Sequence, residues 1–278
     1  MDKYKVLYIS QEIAPYCDET PSSMLWRHLP QKIQENGSQI RTFMPRYGII
    51  NERRNQLHEV IRLSGMNIII NDTDNPLIIK VASIPLARMQ VYFIDNEDYF
   101  DGKGILKDEK QNPYPDNLER ALFFTKGIME TIKKLRWTPD IIHCSGWITH
   151  LLPLYIRQVY NDDPYFANSK IIYALQNDSF DVNANNSILD ELSADKIPES
   201  ILKTVEKPNY LNTTKLALNF SDAVSFSEEI DNKDVVKLVD DLKLPKFDYV
   251  DINEDENFAK AYDKFYEKVL DEEFANAN

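Results

Sequence analysis

PDIIHCSGWITHLLP, from Pro139 to Pro153, reads as a short buried strand, a small polar turn and the start of an amphipathic helix. Ile141 and Ile142 form the strand, and His143-Cys144-Ser145-Gly146 is the turn. The spacing then predicts a helix opened by Thr149 as N-cap, with Leu151, Leu152, Leu154, Ile156 and Val159 apolar. This is how a parallel α/β sheet presents a ligand site at its carboxyl edge. Any βα unit of a doubly wound domain carries the same pattern, so the surrounding chain has to decide.

Upstream, Lys5 to Ser10 (KVLYIS) is apolar enough for a central strand covered on both faces. A polar loop with Pro15 and Pro21 follows, then a helix from Ser22 or Ser23 through Met24, Leu25, Leu29 and Ile33 to Asn36-Gly37. Pro30 inside it marks a kink or a shared first turn. Ile40 to Met44 is the second strand and runs into Pro45-Arg46-Tyr47-Gly48. Leu57 to Leu63, Met66 to Ile70 and Leu77 to Ala82 are strand-like, with Ser64-Gly65 and Asp72 to Asn75 as turns. They form a hairpin excursion expected at one edge of the sheet. Met89 to Ile94 returns to it, and Asp95 to Asn117 is a long polar loop.

From Asn117 the period is helical through Leu135 and ends at Trp137-Thr138-Pro139. Beyond the 139–153 stretch come a strand from Ser169 to Leu175, a polar loop from Asn177 to Asn186, a helix from Leu211 to Phe220 and a strand from Ala223 to Phe226. The expectation is an α/β, Rossmann-like domain over residues 1–230: a mostly parallel, doubly wound sheet with helices on both faces. Residues 231–278 read as an acidic helical tail broken at Pro245. Phe258, Tyr262, Phe265, Val269 and Phe274 give its last helix an apolar face, which packs back on the domain or meets a partner helix.

Composition removes several function classes. A formal charge of -13 disfavours wholesale binding to a nucleic-acid backbone. No apolar run approaches the length of a membrane span. Cys17 and Cys144 are far apart and in no CxxC pattern, which fits a reducing, cytoplasmic setting. The four histidines form no HExxH, so neither a metal ion nor another cofactor is expected. GxGxxG, GxxxxGK[ST] and GxSxG are absent, and no carboxylate pair has a spacing that singles it out.

Four stretches nevertheless match one family in order: KVLYISQEIAPY, LPQKIQENGSQIRTFMPRYG, VYFIDNEDYF and PYPDNLERALFFTKGIMETIKKLRWTPDIIHCSGW. NDSFD and LALNFSDAVSFSEEI continue the match more weakly. Together they resemble the amino-terminal domain of bacterial glycogen synthases and plant starch synthases. The amino-terminal edge is close to that of short single-domain members in Bacteroidetes-type bacteria. The resemblance implies one half of a GT-B glycosyltransferase that moves glucose from ADP-glucose to an α-1,4-glucan, with the acceptor on this half and the nucleotide sugar on a second domain. Fewer than fifty residues follow Ile230, without the strand-helix alternation of that second domain.

The departures from the family fall on its chemistry. Its Lys-Thr-Gly-Gly loop is replaced here by Asp18, Glu19, Thr20 and Pro21, its following Asp by Met24, and its active-site His by Ile148. Only Asn177 remains of the Ile-His-Asn motif. Candidate substrate-binding residues at the carboxyl edge are Arg46, Tyr47, Asn96, Ser145, Gly146, Trp147, Thr149 and Asn177, with catalytic residues unassigned. Tyr47 and Trp147 would stack on a sugar ring while Arg46, Asn96 and Asn177 donate hydrogen bonds; equally, Trp147 would seal helix to sheet from the core. Three functions fit. The chain is a transferase needing a donor-binding polypeptide in trans, an inactive relative binding α-glucan or maltooligosaccharide, or a scaffold acting through its terminal helix. The isolated chain is expected to be inactive.

Overall fold

The computed structural model describes residues 3–85, 87–178 and 186–271. Phe274, most of NDSFD and the interior of the 177–186 loop lie outside the described residues. Strands β1 (Lys5–Ser10), β2 (Gln39–Pro45), β3 (His58–Glu59), β4 (Met66–Ile70), β5 (Thr73–Ile84), β6 (Met89–Asp95), β7 (Ile141–Ser145), β8 (Lys170–Leu175), β9 (Ala223–Phe226) and β10 (Lys246–Phe247) join in the order β10-β9-β8-β7-β1-β2-β6-β5-β3, with β4 on β5. From β10 to β6 every pairing is parallel, while β5 runs antiparallel to β6, β3 and β4. The hairpin excursion sits at the edge, as the turn pattern predicts.

Helices α1 (Pro21–Glu35), α2 (Glu97–Phe100), α3 (Asn117–Leu135), α4 (Leu152–Gln158), α5 (Asn186–Ala194), α6 (Glu199–Val205), α7 (Tyr210–Asn219), α8 (Lys233–Leu242) and α9 (Phe258–Leu270) cover the two faces. Val6 to Ser10 of β1 and all of β7 are buried, as continuous apolar strands under two helical layers should be.

The structure corrects several readings. β7 continues through Ser145, so His143 and Cys144 belong to the strand and only Gly146 turns the chain. Gly146 holds φ +85, which favours glycine. The next three residues form a single 3-10 turn, and α4 starts later, at Leu152 with Pro153 in its first turn. Thr149 is therefore no N-cap; its hydroxyl donates back to the Gly146 carbonyl at 2.9 Å. Leu57 to Leu63 contracts to the two-residue β3. Thr73 to Asn75 lie in β5, because Asn71 and Asp72, at φ +52 and +56, make the whole hairpin turn. The segment after Asp231 also contributes strand β10, and α5 and α6 fill a stretch the periodicity left unassigned.

Helix α9 lies on the sheet face that carries α1. Its Phe258, Ala259, Tyr262, Phe265, Tyr266 and Val269 are buried. The Tyr266 hydroxyl meets His143 Nδ1 at 2.7 Å and the Tyr8 hydroxyl at 3.2 Å, and Ser225 Oγ lies 2.8 Å from His143 Nε2. At the surface Lys3 pairs with Asp263 at 2.7 Å, and Tyr4 donates to the same carboxylate.

Tyr266→Phe strands buried His143 Nδ1, so urea unfolding should register a loss of about 1–3 kcal/mol. Burial also lowers His143 and His150 from the ordinary 6.5 to about 3. The unfolded chain takes up these protons first, so their contribution is complete above pH 6.5 and is lost as pH falls toward about 3. Each ring sets a slope of up to about 1.4 kcal/mol per pH unit in that window. In a pH series from about 7.5 down to 4.5, His143→Gln should lose less unfolding free energy than the parent; identical pH slopes would contradict a buried neutral ring.

Candidate functional site

The sheet order reverses at β1: β2 and β6 extend to one side, β7, β8 and β9 to the other. Loops after β1 and β7 diverge there and open the crevice in which doubly wound sheets bind ligands. Gln11 stands in this crevice. Its side-chain carbonyl accepts the Trp147 N–H at 3.0 Å and its amide donates to Asp178 at 3.2 Å. A Cβ on Gly146 would lie 2.3 Å from Gln11 Oε1, so any other residue there would displace the Gln11 side chain as well as strain the backbone.

Acidic groups ring the crevice. Glu12 is buried and accepts from the Thr20 hydroxyl at 2.7 Å. Its burial, with the charges of Glu228 and Asp18 beside it, raises its pKa above the usual carboxylate value. Asp178 takes hydrogen bonds on Oδ1 from Gln11 and, at 3.4 Å, from Gln176, while Oδ2 has no hydrogen-bond partner among the described residues. Burial pushes its carboxyl from 3.8 up to about 7. Gln176, in turn, accepts from Ser22 at 2.9 Å and Ser145 at 3.2 Å. Among the described residues no group of three or more His, Cys, Asp or Glu could hold a metal ion.

The residues singled out from sequence do lie at the carboxyl ends of β2, β6, β7 and β8, but most are engaged by the protein itself. Arg46 is buried and pairs with Asp95 at 2.9 Å and Asp101 at 3.2 Å. Asn96 caps α2 and donates to the Pro76 carbonyl. Tyr47 and Trp147 are fully buried, both under the Arg120 guanidinium at 5.7 and 5.4 Å. Ser145 and Thr149 are buried as well. Asn177 is exposed; its amide donates to the Glu229 carbonyl and its Oδ1 accepts the Asp231 N–H.

The open space is a cleft of about 330 Å³ between the start of α1 and the 249–253 loop. Thr20, Ser227, Tyr249, Asp251 and Asn253 give it polar groups, and Met24 and Ile252 an apolar wall. Ser227 Oγ is buried without a hydrogen-bond partner among the described residues. Periodicity missed Tyr249, because the segment around it reads as an acidic tail; the YVDIN run after a proline is the one local signal of a strand-like loop.

With this geometry in view, residues 5–235 match the starch synthase catalytic domain family. The chain belongs to that family. The glycogen synthase of Chlorobium luteolum is 33% identical over 211 residues, covering 76% of this chain and 43% of that protein. That of Chlorobium limicola is 37% identical over 175 residues, 63% of this chain and 36% of the relative. The chain thus spans less than half the length of these relatives. The catalytic domain of Arabidopsis thaliana starch synthase IV, solved with ADP and acarbose, superposes with a TM-score of 0.68 at 15% identity, over 89% of this chain and 51% of that one. The fold is accordingly a GT-B-type Rossmann-like half.

The family resemblance sets the Lys-Thr-Gly-Gly loop against Asp18, Glu19, Thr20 and Pro21 of this chain. Here the equivalent loop is closed on itself by a capping box. Thr20 N–H goes to Ser23 Oγ and Ser23 N–H to Thr20 Oγ1, both at 2.9 Å; Met24 N–H goes to the Thr20 carbonyl, and Pro21 has none to offer. The Thr20, Ser23 and Met24 N–H groups are thus taken, and Asp18, Glu19 and Glu12 place carboxylates around the loop.

Asp178 in the folded chain binds its proton more tightly than in the unfolded chain, so it works against stability increasingly as pH rises from 3.8 through about 7. Asp178→Asn should therefore be more stable than the parent at pH 8, by on the order of 2 kcal/mol allowing for its partial exposure. Chemical unfolding at two pH values checks this: the advantage should vanish near pH 4.

Proposed function

We propose that this chain is an α-glucan-binding member of the glycogen and starch synthase family that does not itself transfer glucose from ADP-glucose. The observation that carries the reading is the acidic loop from Asp18 to Ser23, which offers a diphosphate no cation and spends its Thr20 and Ser23 N–H groups on a capping box. Ile148, fully buried, adds no hydrogen bond where the family has its active-site His. Of the two ligands in the Arabidopsis structure, we carry acarbose to this chain and not ADP.

The cleft beside α1 is the place for a glucan end. Tyr249 supplies a ring for stacking, and Thr20, Ser227, Asp251 and Asn253 supply hydrogen-bonding groups around it. Asn177 holds the Glu228 to Asp231 turn, which follows Ser227 in the chain. The buried positions of Tyr47, Trp147, Arg46 and Asn96 support a role in shaping this edge from below. A scaffold acting through α9 has less support, since the apolar face of that helix is taken up by its own domain. A cytoplasmic location is part of the proposal: both cysteines are free thiols, and no helix among the described residues is long and apolar enough to cross a membrane. So is kinship with the short single-domain members of the family.

Incubated with ADP-glucose or UDP-glucose and maltooligosaccharides, the purified chain should release no nucleotide and elongate no acceptor. Asp18→Lys combined with Ile148→His should not change that, because a restored contact of roughly 2–4 kcal/mol cannot position a donor the loop does not hold. Calorimetry with maltoheptaose should show binding that Tyr249→Ala weakens about tenfold. Sustained elongation would return the chain to the transferases; absence of any maltoheptaose binding would move it to the scaffolds.

A further inference from the structure

At the amino-terminal ends of β2 and β6, opposite the glucan cleft, the surface chemistry inverts. Two adjoining cavities of about 290 and 210 Å³ share Ser83. Arg41 and Arg88 line the first; Arg54, His58 and Tyr16 line the second. Not one Asp or Glu lines either, in a chain with 45 acidic against 32 basic residues.

Like most arginines of this chain, these three carry no ion pair among the described residues. Among the described residues the arginine ion pairs belong to Arg46 and Arg157, and Arg41, Arg54 and Arg88 have no carboxylate within 4.0 Å. Arg41 is also held in place. Its Nη1 donates to the Tyr92 hydroxyl at 3.0 Å, and its guanidinium lies 5.7 Å from the Tyr92 ring and 5.8 Å from that of Trp137. That fixes the fork, and yet its buried Nε finds no acceptor. In the second cavity the Tyr16 hydroxyl, on a side chain only 6% exposed, is likewise buried without a partner. A guanidinium held rigid at the wall of a cavity that no carboxylate lines is the geometry that an oxyanion satisfies.

The loop that carries Arg54 is equally set. Asn55 N–H bonds the Asn51 carbonyl, Leu57 N–H the Glu52 carbonyl, and Asn51 Oδ1 accepts the Arg54 N–H at 2.9 Å. Gln56 is held at φ +54 at the end of that turn.

We infer that this groove binds a phosphate monoester group. Arg41 and Arg88 receive the phosphate oxygens, and Ser83 and Arg54 face the rest of the ligand. A phosphate brings acceptor oxygens and no donors, which is what a lining of arginines, hydroxyls and amides lacks. The site is separate from the glucan cleft and does not depend on that reading.

The test is thermal unfolding and calorimetric titration of the full chain with inorganic phosphate and, in a parallel arm, glucose 1-phosphate, against sodium chloride at matched ionic strength. Both phosphates should stabilise the chain beyond chloride. Arg54 and Arg88 are exposed, so Arg54→Gln with Arg88→Gln leaves the fold intact and should weaken binding about tenfold. Arg41→Lys keeps the charge but loses the planar fork and should weaken it further, with circular dichroism confirming the fold. Tighter binding of glucose 1-phosphate than of inorganic phosphate identifies a phosphorylated sugar as the occupant, and equal binding identifies the free ion. A response no larger than that to chloride, variants that bind like the parent, or binding of RNA without binding of either phosphate would each overturn the proposal.

Discussion

Arg120 is the residue on which the functional half of this fold depends. Its side chain is completely buried, and its positive charge has no carboxylate against it; Asp116, nearby, pairs instead with Lys103. The guanidinium donates to the carbonyls of Tyr99, Gly104 and Ile105 and to Asn117 Oδ1, at 2.7 to 3.1 Å. Its faces lie against Tyr47, Phe100, Tyr114 and Trp147 at 5.0 to 5.7 Å. One side chain thereby satisfies the carbonyls of a long loop that has no sheet to pair with, and packs four rings around it. Burying a cation this way is affordable only because every N–H it uses finds an acceptor.

Two consequences reach the carboxyl edge. Tyr47 and Trp147, drawn under Arg120, become part of the core, and the surface left for a ligand shifts toward α1 and the 249–253 loop. Gln11 and Gln176 then do locally what Arg120 does on the other side. They satisfy Trp147 N–H, Ser22 and Ser145, so that the switch-point crevice is filled from within. What the network leaves over is acidic: Asp178 Oδ2, and Glu12 with a raised pKa.

The sequence was most readable where burial is continuous. β1, β2, β6, β8 and β9 follow their apolar runs to within about a residue, because a strand covered on both faces has few polar positions to blur its ends. The hairpin edge was less readable. His58 and Glu59 are exposed, so β3 leaves no alternation to see, and the pairing of Ile70 with Thr73 is set by two left-handed residues rather than by hydrophobicity. Thr149 misled because a threonine before an apolar helix has the sequence of an N-cap, while Gly146 diverts the backbone into a 3-10 turn first. At the candidate site the quoted residues were placed on the right edge of the sheet. Their exposure was not legible, since it depends on Arg120, whose partners are carbonyl groups and carry no side-chain signature. Tyr249 was hidden for a related reason: it is brought to α1 by β10, a strand of two residues.

Electrostatics divides the two ends of the sheet. At -13 overall, the field of the whole chain opposes any approaching anion, and salt screens that field beyond about 8–10 Å. Within that distance, local charge decides. Beside α1 the nearest charges are Glu12, Asp18, Glu19 and Asp251, so the local and the global fields add, and the positive end of the α1 dipole is spent on its own capping box. At the amino-terminal ends of β2 and β6 the local field is reversed by three unpaired arginines, one of them clamped between two aromatic rings. One of the three is held by aromatic rings and a tyrosine hydroxyl rather than by a carboxylate, so its charge is left to the cavity it lines. The arrangement makes physical sense when the missing negative charge arrives from outside.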